Sequence, residues 1–360
     1  MTPDYMQLAI AQARKAVGNV SPNPAVGAVI VNNGKIIGEG CTQPPGSAHA
    51  EIMALKQASE AARGAAMYVT LEPCCHYGRT PPCTKAIIES GISEVHMAML
   101  DPNPLVLGKG KTELERSGIG TRVGERGQEA QDINEYYVKY ITTKRPFVTA
   151  KFAMSLDGKI ATKTFDSKWI SNDQSREYVH HVRWAADAIM VGVNTILRDD
   201  PQLTARIGEK VRSPLRVIID SHGQTPLQAK ALQPPGKALI ATTTSIEPNR
   251  AKQYADIGAE VIALPPQNGL VDIGELLKKL GERQICSVLV EGGGTLIGSL
   301  FDLGLMDKVL AFIAPIIIGG REAITPVVGK GVESVAEALR LSRVRVERFG
   351  DDIMVSGYTR

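Results

Sequence analysis

His49-Ala50-Glu51, followed by Pro73-Cys74 and then Cys83, constrains this chain more than any other stretch. One imidazole and two thiolates are three ligands for a zinc ion. To reach one ion, three points far apart in sequence must meet. A helical pattern opens at His49, a strand pattern ends at Thr70-Leu71-Glu72-Pro73-Cys74, and the next helical pattern begins at Cys83 behind Pro81-Pro82. Three protein ligands leave one tetrahedral position for water, the mark of a catalytic rather than a structural site. Glu51 is not needed as a ligand, and a carboxylate beside such a water can carry protons.

A histidine and a glutamate two residues apart, followed by a Pro-Cys and a second cysteine, form the zinc nucleobase-deaminase signature, in which a metal-activated water attacks an amino-bearing ring carbon. The usual spacing places two residues between the cysteines; here eight intervene, Cys75 to Pro82. Proline is tolerated in a first helical turn, and a helix N-terminus favours a thiolate at Cys83. A structural zinc knuckle or plain core cysteines are the alternatives.

With 360 residues and 43% hydrophobic content, the chain predicts two domains with real cores. No apolar run reaches membrane-span length, and the N-terminus enters an amphipathic helix without a signal-peptide core. A net charge of +3 is small and dispersed, which argues against a nucleic-acid surface. Five cysteines, an odd number, do not make a disulfide framework, so a cytoplasmic protein is expected. Cys75 adjoins a ligand and is a potential competitor for the metal.

The first half alternates helix and strand patterns: a helix over 5–17, a strand over 26–31 turning at Asn32-Asn33-Gly34-Lys35, a helix over 48–62, a strand over 67–71, a helix from Cys83 to Gly91 and a strand over 95–100. A helix, strand and helix then run to about Thr142. This predicts a central sheet covered by helices on both faces. Thr143-Lys144-Arg145-Pro146 is the expected boundary, dividing the chain into residues 1–145 and 146–360. The second half predicts its own α/β domain, with strands beginning at Phe147 and recurring to Ala314. Val288-Leu289-Val290-Glu291-Gly292-Gly293-Gly294 reads as a strand, a glycine turn and a helix start. That turn is either a phosphate cradle or a plain tight turn. It lacks the dinucleotide-binding G-x-G-x-x-G spacing.

Taken together, these residues resemble the bacterial bifunctional riboflavin-biosynthesis deaminase/reductases over nearly the whole chain. The first half carries the resemblance in Pro22-Asn23-Pro24-Ala25-Val26-Gly27, His49-Ala50-Glu51, the run from Leu71 to Cys83 and Asp101-Pro102-Asn103-Pro104. The second half carries it in Lys151, Ser155 to Lys159, Ser167-Lys168-Trp169-Ile170, Asp199 to Arg206 and Glu291 to Gly294. The resemblance implies a cytidine-deaminase-like three-layer α/β/α domain and a dihydrofolate-reductase-like α/β domain. It implies zinc-dependent hydrolytic deamination of 2,5-diamino-6-ribosylamino-4(3H)-pyrimidinone 5′-phosphate. NADPH-dependent reduction to 5-amino-6-ribitylamino-uracil 5′-phosphate would follow.

Carried onto this sequence, His49, Cys74 and Cys83 are the zinc ligands and Glu51 the proton carrier. Asn23, His76, Arg79, Asp101 and Asn103 are implied contacts for base or phosphate. Ala153, Trp169, Thr195, Asp199, Ser221 and Gly293-Gly294-Thr295-Leu296-Ile297-Gly298-Ser299 match NADPH positions. Ser167, Arg183, Leu203, Arg206 and Glu291 match reductase substrate positions, with Arg183 and Arg206 as partners for its phosphate. Lys151, Asp199 and Glu291 are candidates for polar assistance to hydride transfer. The expected partners are a phosphorylated pyrimidine and further copies of the chain, as a dimer or tetramer, with no nucleic acid or membrane. The chain departs from the family pattern at Cys75 (usually Ser), Leu107 (usually small) and Phe165. Glycine is common at the last position and reaches backbone angles that Phe disfavours. Two rivals are a cytidine or tRNA-adenosine deaminase with a binding module, which the 5% aromatic content supports poorly, and a zinc-stabilised scaffold using a fourth ligand.

Overall fold

The computed structural model describes residues 3–78 and 80–359. The chain forms two compact units, Met1–Lys144 and Arg145–Arg360.

In the first unit, α1 (Tyr5–Ala16) precedes the hairpin β1 (Gly27–Asn32) and β2 (Lys35–Cys41). Then come α2 (Ala50–Ala58), β3 (Ala66–Val69), α3 (Cys83–Ser90), β4 (Glu94–Met97), α4 (Lys109–Arg116), β5 (Gly120–Val123), α5 (Gly127–Ile133) and α6 (Glu135–Thr143). The sheet order is β2-β1-β3-β4-β5, with β1 antiparallel to both neighbours and β3, β4 and β5 parallel. Side chains alternate across the sheet. Ala28 and Ile30 of β1 face a core shared with Ala50 and Ala54 of α2 and Ile87 of α3, whereas Val29 and Val31 pack with Met6 and Ala9 of α1. Both faces are therefore covered, which gives three layers. Gly38 and Gly40 on β2 let α2 lie close: a Cβ there would stand 2.2 Å from the Ala54 carbonyl oxygen and 2.3 Å from that of Ala50. That approach fixes the height at which α2 begins, and α2 begins at the metal-ligand candidate His49, its N-cap.

The second unit opens with β6 (Phe147–Ser155), α7 (Asp173–Ala185), β7 (Ala188–Gly192) and α8 (Val193–Asp199). A small hairpin of β8 (Ala205–Ile207) and β9 (Lys210–Arg212) follows, then β10 (Leu215–Ile219), β11 (Ala238–Thr243), α9 (Pro248–Asp256) and β12 (Glu260–Leu264). The two-residue strands β13 (Pro266–Gln267) and β14 (Leu270–Val271) lead to α10 (Ile273–Glu282), β15 (Ser287–Glu291), α11 (Gly294–Asp302) and β16 (Lys308–Ala314). The chain closes on the hairpin β17 (Ser342–Phe349) and β18 (Asp352–Tyr358). The sheet has nine strands in the order β12-β11-β10-β7-β15-β6-β16-β18-β17. It is parallel from β12 to β16, and β18 and β17 add antiparallel to its end. One face packs on α10 and α11 through Leu276, Leu280, Ile297 and Leu300, the other on α9 through Tyr254. Such sheets bind ligands in the crevice beyond the carboxyl ends of their strands. The carboxyl ends of β6, β7, β10 and β15 carry, in turn, Ala153, the α8 residues Thr195 and Asp199, Ser221 and the Glu291–Gly294 turn.

The sequence reading placed no strand after Ala314. The C-terminal hairpin was missed because its outer strand is exposed on both faces and shows no buried alternation.

Candidate active sites

In the first unit the three expected metal ligands converge. The ligand atoms of His49, Cys74 and Cys83 lie within 4.8 Å of one another, and they form the one cluster of this kind among the described residues. The His49 Nδ1 stands 3.6 Å from Cys74 Sγ and 3.3 Å from Cys83 Sγ. Tetrahedral zinc with Zn–S of about 2.3 Å and Zn–N of about 2.0–2.1 Å has S···N edges of about 3.6 Å. The donor set thus has the size and chemistry of a zinc site. The other imidazole nitrogen, Nε2, is 3.3 Å from Thr80 Oγ1, the kind of outer partner that orients a metal-bound histidine. The backbone N–H of Cys83, in the first turn of α3, donates to Cys74 Sγ at 3.4 Å. Hydrogen bonds from Cys83 and His49 hold the Cys74 thiol down at about 4, while the same contact and burial push the Cys83 thiol up. Cys75 lies outside the cluster, and burial raises its thiol pKa.

Glu51, in the first turn of α2, is only 4% exposed. Burial pushes its carboxyl up to about 7, with the Cys74 sulfur adding and His49 opposing. It stands beside the ligand cluster without belonging to it.

Around this centre the structure adds a support that the sequence reading had not singled out. Glu72, buried just before Pro73-Cys74, accepts backbone N–H bonds from Asp101 (3.2 Å), Gly108 (2.9 Å) and Lys111 (3.0 Å). One carboxylate thereby ties the strand end bearing Cys74 to the 101–111 loop and the start of α4. The position lay in plain view within Leu71-Glu72-Pro73-Cys74, but its partners are distant in sequence. Asp101 is buried, and both of its oxygens accept from Tyr137 Oη, at 2.9 and 3.1 Å, while Oδ1 also accepts from the Asn103 N–H. Burial lifts its carboxyl to about 6. Its side chain thereby shapes the loop that carries Asn103. Asn103 turns its Oδ1 onto the Leu105 N–H. Asn23 is half-buried in the loop before β1, a loop anchored where Asn134 Oδ1 accepts from the Ala25 N–H. His76 has a buried Nδ1 with no protein partner. Arg79 lies outside the described residues.

In the second unit Lys151 on β6 and Glu291, the last residue of β15, are register partners. Arg183 reaches Glu291 from α7 through a two-pronged ion pair, Nε–Oε1 at 2.6 Å and Nη2–Oε2 at 2.8 Å, while Nη1 donates to the Thr204 carbonyl at 3.1 Å. Burial lowers the Lys151 ammonium pKa and Arg183 lowers it further, against the pull of Glu291. The Glu291 carboxyl sits below the ordinary carboxylate value: burial would raise it, but Arg183 overcomes this. Three of the five N–H donors of Arg183 are thus taken by protein acceptors, which leaves two for the phosphate contact expected from the sequence. Arg206 is exposed, with Nη1 on Gln202 Oε1 at 2.8 Å and Nη2 3.4 Å from His180 Nε2. Leu203 is buried and Ser167 half-buried.

Gly292 and Gly293 have φ of 73° and 76°, left-handed values that favour glycine, just before α11. A Cβ at Gly292 would stand 3.4 Å from Thr195 Oγ1, and one at Gly293 3.7 Å. Side chains there would fill the space before the helix N-terminus, which gives the turn the form of an anion cradle. Along α11, Thr295 is exposed and Ser299 half-buried, but Leu296 and Ile297 point into the core and Gly294 and Gly298 are buried. Ligand contact at those four positions is therefore confined to backbone. Ser221 Oγ accepts the Val271 N–H, and Trp169 is largely exposed, with the Arg176 guanidinium over its ring. The Asp199 carbonyl lies 3.5 Å from Lys168 Nζ, and Ala153 is half-buried on β6. Phe165 does adopt the left-handed backbone a glycine would favour, at φ 67°, with the Arg198 guanidinium stacked 3.4 Å from its ring centre.

The family model described as RibD C-terminal domain matches residues 146–355. The one described as cytidine and deoxycytidylate deaminase zinc-binding region matches residues 2–99. The riboflavin biosynthesis protein RibD of Aquifex aeolicus is 44% identical over 352 residues, covering 98% of this chain and 97% of the relative. The chain belongs to the RibD family. The RibD of Escherichia coli is 36% identical, with 97% of each chain covered. Among solved structures, a crystal form of Acinetobacter baumannii RibD matches with a TM-score of 0.89 at 36% identity, covering 98% of this chain and 97% of that one. A Thermotoga maritima protein described as a diaminohydroxyphosphoribosylaminopyrimidine deaminase/5-amino-6-(5-phosphoribosylamino)uracil reductase matches with a TM-score of 0.87 at 37% identity, again over 98% and 97%. As a RibD, the chain is a bifunctional enzyme of riboflavin biosynthesis, with a cytidine-deaminase-like zinc-binding first unit and a reductase second unit. No helix among the described residues is long and apolar enough to cross a membrane.

Proposed function

We propose that the first unit hydrolyses the 2-amino group of 2,5-diamino-6-ribosylamino-4(3H)-pyrimidinone 5′-phosphate. The second unit then reduces the ribosyl group with NADPH to give 5-amino-6-ribitylamino-uracil 5′-phosphate. The observation that carries this reading is the His49, Cys74 and Cys83 cluster with the buried Glu51 beside it.

His49, Cys74 and Cys83 would hold the zinc, which when bound acidifies a water molecule near neutral pH. With zinc held there, Glu51 would accept a proton from water and return it to the departing amino nitrogen, so that ammonia leaves as the ring carbon gains oxygen. Its burial, and a carboxyl raised to about 7, suit a group that must both accept and return a proton. Thr80 fixes the imidazole plane, and Glu72 and Asp101 hold the 101–111 loop that carries Asn103.

In the second unit, Gly292, Gly293 and Thr195 would cradle the NADPH phosphates, with Ala153, Trp169, Asp199, Ser221, Thr295 and Ser299 completing the site. NADPH supplies a hydride. The substrate's furanosylamine ring would open to an imine as the acceptor for that hydride, and the part left to the protein is to give the imine nitrogen a proton. Lys151 is assigned that proton, since burial eases its release. Glu291, held by Arg183, balances the Lys151 charge, and Arg206 binds the substrate phosphate. Cys41, Cys74, Cys75 and Cys83 form no disulfide, which supports a cytoplasmic setting. We further infer a homo-oligomer.

Incubating the zinc-loaded protein with the diaminopyrimidinone nucleotide, with and without NADPH, tests the reading by product mass. Deaminated ribosyl product should form without NADPH, and a product two mass units heavier than this with it. Unchanged substrate in both arms would overturn the assignment.

A further inference from the structure

Helix α7 sets His180 and Arg183 one turn apart, and both reach the segment that enters β8. Arg183 Nη1 donates to the Thr204 carbonyl, while the Arg206 backbone N–H donates to His180 Nδ1 at 3.2 Å. The far side of the same ring then meets the far end of the same arginine: His180 Nε2 stands 3.4 Å from Arg206 Nη2.

That second contact sets donor against donor. A neutral imidazole has one N–H and one acceptor nitrogen, and a guanidinium nitrogen only donates. Nδ1 is the acceptor here, so Nε2 carries the proton. The ring is kept neutral: burial lowers its pKa, and the Arg183 and Arg206 charges lower it further, against the Thr204 carbonyl and Glu291. Arg206 Nη1 is meanwhile held on Gln202 Oε1 at 2.8 Å, which fixes where Nη2 lies. An acceptor that touches both Nε2 and Nη2 would turn the clash of donors into two hydrogen bonds. Arg206 is exposed and His180 half-buried, so such a group can arrive from solvent. Two guanidinium groups against one carboxylate make the surroundings net positive, which selects an anion. The oxygens of one phosphate can accept from several donors at once.

We propose that His180 binds the substrate phosphate together with Arg206, through its Nε2–H. This rests on the reading of Arg206 as the phosphate contact. It adds a neutral donor whose direction is set by the backbone of the arginine it works with. The experiment is steady-state NADPH consumption by the full-length enzyme on the deaminated ribosylamino-pyrimidine nucleotide and on its dephosphorylated nucleoside. Wild type should prefer the nucleotide in kcat/KM. His180→Phe should cut that preference roughly tenfold, the scale of one hydrogen bond to a charged group. His180→Gln keeps an acceptor and an N–H donor and should recover most of it. In an Arg206→Ala background His180→Phe should still lower the preference, because His180 touches the phosphate itself. A wild type without preference overturns the phosphate reading of Arg206 and this proposal together. A wild type that prefers the nucleotide, with the preference intact in His180→Phe or no better in His180→Gln, overturns the part given to His180 alone. So does a His180→Phe change without effect once Arg206 is gone, which would make His180 a support for Arg206 only.

Discussion

Glu291→Gln separates two roles for Arg183. The change keeps the shape of the side chain and removes its charge. Arg183 and Glu291 form a two-pronged pair whose side chains are 18% and 10% exposed. Removing one partner of such a buried pair costs about 3–5 kcal/mol, because the other charge stays buried without compensation. Lys151 makes the loss worse, since Glu291 is the anion that favours its charge while Arg183 disfavours it. In a unit of this size each kcal/mol moves the melting temperature by roughly 2–4 °C, so a fall of roughly 6–20 °C follows. Scanning calorimetry of the reductase transition, from neutral pH down through the folded Glu291 pKa, is the assay. The sign with pH is fixed. The folded Glu291 carboxyl lies below its ordinary value, so its stabilisation is complete above about pH 4.3 and is lost as pH falls through the folded pKa. The gap between wild type and variant should therefore be widest near neutrality and shrink in acid. A variant that melts within 2 °C of wild type, yet loses activity on phosphorylated substrate alone, would refute the reasoning and return Arg183 to phosphate binding.

Glu51→Gln should retain one zinc per chain by metal analysis and lose deamination at least about a hundredfold, the usual scale of general acid–base assistance; stoichiometric zinc loss would make Glu51 a ligand. Arg206→Ala should lower kcat/KM for phosphorylated substrate roughly ten- to a hundredfold, as expected for a bond of about 1.5–3 kcal/mol to a charged group. It should leave the dephosphorylated nucleoside nearly unchanged, and an equal loss on both would reassign it. Glu72→Ala leaves three backbone donors without their carboxylate. Hydrogen exchange at Asp101, Gly108 and Lys111 should accelerate while β1 and β3 stay protected, and unchanged protection at those amides would show that the loop is held otherwise.

The first centre was legible because its chemistry is written in residue types whose spacing is fixed by local structure. A helix starting after His49, a strand ending before Cys74 and a helix starting at Cys83 are each local patterns, and the convergence of their donor atoms within 4.8 Å follows from the sheet they share. The glycine turn after Glu291 was equally local, since left-handed φ at Gly292 and Gly293 is a backbone property of those residues. Partner choice was not legible. The sequence offers Arg183 and Arg206 as equivalent guanidinium groups, but only the fold decides that β15 delivers Glu291 to the first while the second stays exposed. It likewise shows Glu72 and Asp101 as two carboxylates, and only the packed loop reveals that both are engaged in holding backbone and Tyr137. Leu296 and Ile297 were read as ligand positions from their place in a motif, and the rotation of α11 against the sheet turns their side chains into the core, which leaves their backbone for that contact. Local pattern determines which residues can do chemistry and which element carries them. Which of those residues remain free to do it depends on neighbours a hundred positions away, because a buried charge must first find its counter-charge.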